Sequence, residues 1–221
     1  MCFSASASFV AGAALAVTGI ITIQKVKSRS QMLFAAIPLL FSAQQFTEGV
    51  VWLSLSNPGN KSWSIIPITI FLFFAHVVWP VWVPLSILAM EKNKKNRNIL
   101  IGMLGAGIIV ASYLGICLFF RPVDAMIRDH HIFYDLRFPS SIRWVTAVLY
   151  FIPTVLPPFM SSYKKMVLLG MAVLSSYIVS QIFFEGYVIS VWCFFAALIS
   201  GTVYFITSAI PEMDKSTLSE V

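Results

Sequence analysis

Glu48 stands inside an otherwise apolar stretch, with Gln44 four residues and Gln45 three residues before it. That spacing puts both amides and the carboxylate on one side of a helix. An ionisable side chain in a lipid-spanning helix is costly to hold, so it is a candidate for handling a proton, an ion or a polar solute. His76 is the one histidine of three that falls in an apolar stretch, and Trp79 and Pro80 follow it closely. A histidine and a glutamate on neighbouring helices could relay a proton, share a ligand or clamp the helices together. Further along, Gln181-Ile182-Phe183-Phe184-Glu185-Gly186 echoes Gln44-Gln45-Phe46-Thr47-Glu48-Gly49, with Gln, Phe, Glu and Gly in register. These residues are therefore expected to line one outward-facing polar cavity: Gln44, Gln45, Glu48, His76, Trp79, Gln181 and Glu185. For Gln44 and Gln45 the plainer role is a bridge to another helix, and for Glu185 a solvated helix end. Zinc takes thiolate, imidazole and carboxylate donors, which makes Cys2, Glu48 and His76 a candidate metal set if the chain start folds into the same cavity.

The elements that must carry these residues follow from composition. The chain is 58% hydrophobic and 11% charged, with a mean hydropathy of +0.85. Soluble domains carry about 25% charged residues, so this chain lacks the polar surface to dissolve. A hydrocarbon core about 30 Å thick is crossed by about 20 helical residues, and that ruler marks seven spans. They fall near residues 3–23, 32–55, 63–90, 99–120, 142–160, 166–184 and 188–210. The fold class read from this is all-α, a single polytopic seven-helix domain over residues 1–221. Pro67, Pro80 and Pro84 mark break points in the third span, while Pro153, Pro157 and Pro158 thin the hydrogen bonding of the fifth.

Lysines and arginines set the orientation. Lys25, Lys27 and Arg29, then Lys92, Lys94, Lys95 and Arg97, then Lys164 and Lys165 occupy loops one, three and five, whereas the second loop has only Lys61 and the sixth has none. The rule that cytoplasmic loops are basic puts the N-terminus outside and the C-terminus inside. The net charge of +6 is thus a matter of topology, and the partner it implies is the lipid bilayer, not nucleic acid. The outer loop 121–141 is the one long connection and is expected to be a lid or a small interfacial element. Spans two and six run the same way, which a parallel repeat of three helices, one connector and three helices would produce. Ser4, Ser8, Gly12, Ala16 and Gly19 in span one, and Gly102, Gly105, Ala106 and Gly107 in span four, are read as close helix packing. Tyr150, Tyr177 and Ser180 either extend the polar cavity or cap hydrogen bonds between helices. No G-x-S-x-G elbow, H-E-x-x-H pair or phosphate-cradling glycine loop is present, and the identity of any cofactor is unknown from the sequence.

The opening Met1-Cys2-Phe3-Ser4-Ala5-Ser6-Ala7-Ser8-Phe9, together with Ala36 to Phe41, Gln44-Gln45, Glu48 to Trp52 and His76 to Pro80, resembles an uncharacterised family of prokaryotic membrane proteins whose members begin Met-Cys-Phe-Ser. The resemblance implies a seven-helix protein of the inner (plasma) membrane and no established activity. It also directs attention to Cys2 as a ligand, a redox group or a modified end. The function expected from all these residues is that of a small-solute or proton-coupled transporter, with Glu48 as the charge carrier, His76 as its partner and the glutamines lining the route. An intramembrane enzyme or metal- or cofactor-binding protein using Cys2, Glu48 and His76 is the alternative, and a membrane sensor or assembly factor is a third.

Overall fold

The computed structural model describes residues 4–56, 61–128, 130–136, 143–183 and 195–209. Helix α1 (Ala5–Gln24) starts where the Ser4 side chain accepts the N–H of Ala7, at 3.2 Å. A short α2 (Met32–Ala35) breaks at Ala36 before α3 (Ile37–Ser56). The cause is Pro38, which offers no N–H to the carbonyl of Phe34 one turn back. Helix α4 (Lys61–Phe73) passes through a π-helical turn (Phe74–Val78) into α5 (Trp79–Leu88). The 27-residue α6 (Lys94–Phe120) is capped by Asn93, whose side chain accepts the N–H groups of Lys95 and Asn96. Then come strands β1 (Val123–Arg128) and β2 (His131–Leu136), and helices α7 (Arg143–Val155), α8 (Met166–Phe183) and α9 (Ala196–Ala209).

Four helical stretches are long and apolar enough to cross a membrane: Ala5–Gln24, Trp63–Leu88, Lys94–Phe120 and Met166–Phe183. They coincide with the first, third, fourth and sixth expected spans. Helix α3 has the length, at 20 residues, but Gln44, Gln45 and Glu48 dilute its hydropathy. The fifth expected span is shorter as a helix. With Pro153 inside it and Pro157-Pro158 beyond, α7 ends at Val155 and tightens into a 3₁₀ turn over Pro157–Met160. In the seventh, the described apolar helix covers Leu198–Ala209.

The long connection after α6 departs from an all-helical expectation. Strands β1 and β2 form an antiparallel hairpin with Val123 opposite Leu136 and Ile127 opposite Ile132, and His130 adopts φ 60° at its turn. Alternation along the strands puts Val123, Ala125, Ile132, Tyr134 and Leu136 on one face. That face packs on the ends of α3, α4 and α6. Tyr134 stacks on Phe71 with ring centroids 5.1 Å apart.

Two apolar clusters divide the bundle along its length. One holds Val51, Trp52, Phe71, Leu72 and Leu118 beneath the hairpin. The other holds Phe34, Ile87, Met90, Leu100 and Met166. Because these last residues adjoin the basic loops, all three basic loops share the end opposite the hairpin. Along α3 the order is Ile37, then Gln44, Gln45 and Glu48, then Val51 and Trp52; along α4–α5 it is Leu72, His76, Trp79, Ile87. The two rods are therefore antiparallel, and their polar residues fall between the apolar caps.

Helix α1 packs against α3 through small residues, as their spacing predicts. Ser42 donates its hydroxyl to the carbonyl of Gly12 at 2.8 Å. A Cβ added to Gly19 would lie 2.5 Å from Leu39. This close fit walls the polar layer on one side.

Candidate functional site

Within the polar layer Gln44, Gln45 and Glu48 are 1%, 1% and 0% exposed. They are enclosed, which corrects the expectation of an outward-open cavity: Val51 and Trp52, one turn above Glu48, are covered by the hairpin. The Gln45 amide Nε2 donates to Glu48 Oε2 at 3.2 Å, the contact that residues three apart on a helix can make. Gln44 takes a different partner. Trp79 donates its indole N–H to Gln44 Oε1 at 2.7 Å, and its ring stacks on Phe41 with centroids 4.1 Å apart. A buried amide left unpaired costs about 1–3 kcal/mol, so this bond pins α3 to α5.

That pin fixes a register. Glu48 lies four residues beyond Gln44 on α3, and His76 lies three residues before Trp79 on the antiparallel rod. At about 1.5 Å per residue the two stand at nearly the same height. His76 is buried and its Nδ1 lies 3.1 Å from the carbonyl oxygen of Leu72. A carbonyl only accepts, so Nδ1 carries the proton and, in the neutral ring, Nε2 keeps the lone pair. A carboxylate, an imidazole nitrogen and an amide donor at one level can bind and pass a proton, or hold a small polar solute.

The turn that carries His76 is π-helical. The N–H of Trp79 reaches five residues back to the Phe74 carbonyl. Pro80 has no N–H, so the Ala75 carbonyl, which comes next in this register, is left without a main-chain donor. The Tyr150 hydroxyl of α7 donates to it. Of the two roles open to Tyr150, capping a bond between helices is the one observed.

The remaining expected residues lie elsewhere. Gln181 is on α8 but exposed, apart from the enclosed layer that holds Gln44. Cys2 and Glu185 lie outside the described residues. Among the described residues no group of three His, Cys, Asp or Glu could hold a metal ion; Glu48 and His76 are two of the three candidates named, and Cys2 cannot be placed. Cys117 is buried among the apolar residues of α6, as a packed thiol.

One buried carboxylate was missed. Glu91, beyond the end of α5, is 3% exposed. It accepts the Ser162 N–H at 2.7 Å, the Ser162 hydroxyl at 2.6 Å, the Asn93 N–H at 2.9 Å and the Ser161 hydroxyl at 3.2 Å. Burial works to raise its pKa, but the bonds from Ser162, Asn93 and Ser161 outweigh burial and hold the carboxyl below its ordinary value. In sequence it stands beside Lys92 in a basic loop and reads as a solvated charge. Three of its four donors come from Ser161 and Ser162, in a loop 70 and 71 residues away.

Residues 1–217 match a family of unknown function, DUF6629. No curated protein matches the chain. No solved structure matches it either.

Proposed function

We propose, for a chain that belongs to the family of unknown function DUF6629, that its enclosed polar layer carries protons, alone or coupled to a small polar solute, across the membrane. On this reading the protein is a seven-helix multi-pass protein of the inner (plasma) membrane. Helix α3, α7 and α9 complete the bundle begun by the four longer apolar helices, with the N-terminus and hairpin outside and the basic loops in the cytoplasm. Glu48 is the group that takes and releases the proton, His76 its partner at the same height, and Gln44, Gln45 and Trp79 the residues that hold them in place.

One observation carries the reading. A carboxylate at 0% exposure sits between two apolar caps, with an amide as its hydrogen-bond donor. A purely structural clamp needs no ionisable group: glutamine would accept the same Gln45 amide without the cost of a titrating acid away from water. A carboxyl at such a place earns its position by changing protonation state.

Proton uptake tests this directly. Purified protein in liposomes, driven by a potassium gradient with valinomycin and read by an internal pH dye, is expected to outpace empty liposomes. Glu48→Gln, nearly isosteric, should return uptake to the empty-liposome rate while thermal unfolding in detergent is unchanged. Uptake by the unaltered protein no faster than empty liposomes, or equal uptake by Glu48→Gln, would sink the reading.

A further inference from the structure

The π-helical turn joins two helices whose hydrogen bonds could run in either of two registers. As folded, the Trp79 N–H bonds to Phe74, five residues back, and the Tyr150 hydroxyl serves the Ala75 carbonyl. In a plain α-helix the same Trp79 N–H would bond to Ala75, four residues back. The Ala75 carbonyl therefore has two competing donors, one from its own helix and one from α7. Whichever it takes decides whether the turn holds an extra residue. Pro80 sharpens the choice, because in the five-back register the main chain offers Ala75 nothing.

We infer that Tyr150 is a positioning residue for the polar layer: its hydroxyl on the Ala75 carbonyl holds the π-helical register and so sets His76 opposite Glu48. This rests on the pairing of Glu48 with His76 proposed above. Trp79 cannot move to accommodate a register change, since Gln44 and Phe41 fix it from α3. Relaxing the turn by one residue would then rotate the segment before Trp79 by about 100°, turning His76 away from the direction it now takes. Tyr150 itself is well anchored. Phe151, its neighbour, meets Tyr177 of α8 edge-on at 5.3 Å, and α6 approaches both α5 and α7 at Gly107, where a Cβ would meet Pro80 and Pro153. π-helical turns recur at functional sites, and a turn with two competing registers is the kind of discrete element that can switch.

Cadmium bridging reads the geometry without reading transport. In the Glu48→Cys variant, purified in detergent, Cd²⁺ held between the introduced thiolate and His76 is expected to raise the unfolding temperature, and His76→Ala should remove that response. Adding Tyr150→Phe should weaken the Cd²⁺ response by about tenfold or more, the usual effect of losing a group that orients a ligand. Pro80→Ala supplies the missing N–H, so in that background Tyr150→Phe should regain most of the lost affinity. An unchanged Cd²⁺ response in Tyr150→Phe overturns the inference, as does a loss that Pro80→Ala leaves undiminished. If Glu48→Cys shows no Cd²⁺ response even with Tyr150 intact, the Glu48–His76 pairing falls and the inference with it. The proton uptake of the unaltered protein, and its loss in Glu48→Gln, is a separate measurement that this outcome does not touch.

Discussion

Gly107 allows a sharp test of the packing that holds the polar layer, because α6 carries its own controls. A Cβ added there would lie 2.0 Å from the Pro80 carbonyl oxygen, 2.9 Å from the Pro80 carbonyl carbon and 3.2 Å from Cβ of Pro153. Ordinary carbon–oxygen approach is about 3.3 Å or more, so Gly107→Ala requires the helices to part by about 1.3 Å. Neither neighbour yields easily: one is main chain and the other is the ring of a proline. Pro84 also brings no N–H to the Pro80 carbonyl, which leaves that oxygen turned toward α6. Overpacking costs about 1–3 kcal/mol, and a main-chain obstacle belongs in the upper half of that range. Against it stands the helix preference of alanine over glycine, about 1 kcal/mol. The expected net effect is a loss of about 1–2 kcal/mol. Gly102 and Gly105 have nothing within 4 Å of an added Cβ, so alanine there should be neutral or stabilising by up to about 1 kcal/mol. At about 2–4 °C per kcal/mol, Gly107→Ala should unfold below Gly105→Ala by about 2–12 °C, with Gly107→Ala below the parent and Gly105→Ala at or above it. Tryptophan fluorescence during heating in detergent reads this well, since Trp79 and Trp82 sit on α5. Equal unfolding temperatures for the two variants would refute the close contact.

The Gln44–Trp79 bond and the Glu91 cluster give two further expectations. Trp79→Phe keeps a ring against Phe41 but deletes the donor to Gln44, and should cost about 1 kcal/mol; the double variant with Gln44→Leu should lose less than the two single losses added together. Strict additivity in that cycle would mean the bond contributes nothing. For Glu91, the folded pKa lies below the ordinary value of 4.5, so its stabilisation is fully present above that pH and is lost as pH falls through the folded value. Glu91→Gln should cost about 1–3 kcal/mol at pH 7 and flatten the acid side of the unfolding-temperature curve. A variant as acid-sensitive as the parent would place the titrating group elsewhere.

What could be read in advance was what depends on one helix at a time. Gln44, Gln45 and Glu48 share a face because of their spacing alone, and an acid in an apolar helix has to be kept from the lipid; that the layer is closed over and not open to the outside was not foreseen. The small residues of α1 predicted close packing for the same reason. What could not be read depends on a second segment distant in sequence. Trp79 was legible as a neighbour of the site, but its bond to Gln44 requires the crossing of two helices. Pro80 announced a bend, yet the freed Ala75 carbonyl takes its donor from the Tyr150 hydroxyl, 75 residues beyond it. Gly102, Gly105 and Gly107 are alike as a sequence pattern; the position of Pro80 singles out one. The echo between Gln44 and Gln181 says nothing of burial, and the exposure of Gln181 is decided by which helices flank α8. In residues 121–141 the alternation of Val123, Ala125 and Ile127 with Ile132, Tyr134 and Leu136 was a strand signal, short enough to be overlooked beside the helical spans.

On the proposed function, access to Glu48 demands that one of the two apolar caps open, and the caps are not equally strong. At the basic end, α2, α5, α6, α8 and α9 all enter one cluster. Two further ties reinforce it: the Trp82 indole N–H bonds to the Leu33 carbonyl at 2.9 Å, and Glu91 gathers four donors across two loops. At the other end the closure over Val51 and Trp52 is a two-stranded hairpin, and an isolated hairpin is marginally stable in water. Its hold on the helices comes from one apolar face, with Val123, Ile132 and Tyr134 as the buried contacts. Lifting that face exposes those three side chains and the Val51 and Trp52 they cover, each worth about 1.5–3 kcal/mol, whereas opening the basic end breaks a larger cluster along with buried hydrogen bonds to a carboxylate. The hairpin side is therefore the lower barrier, and the polar layer should first meet water from there.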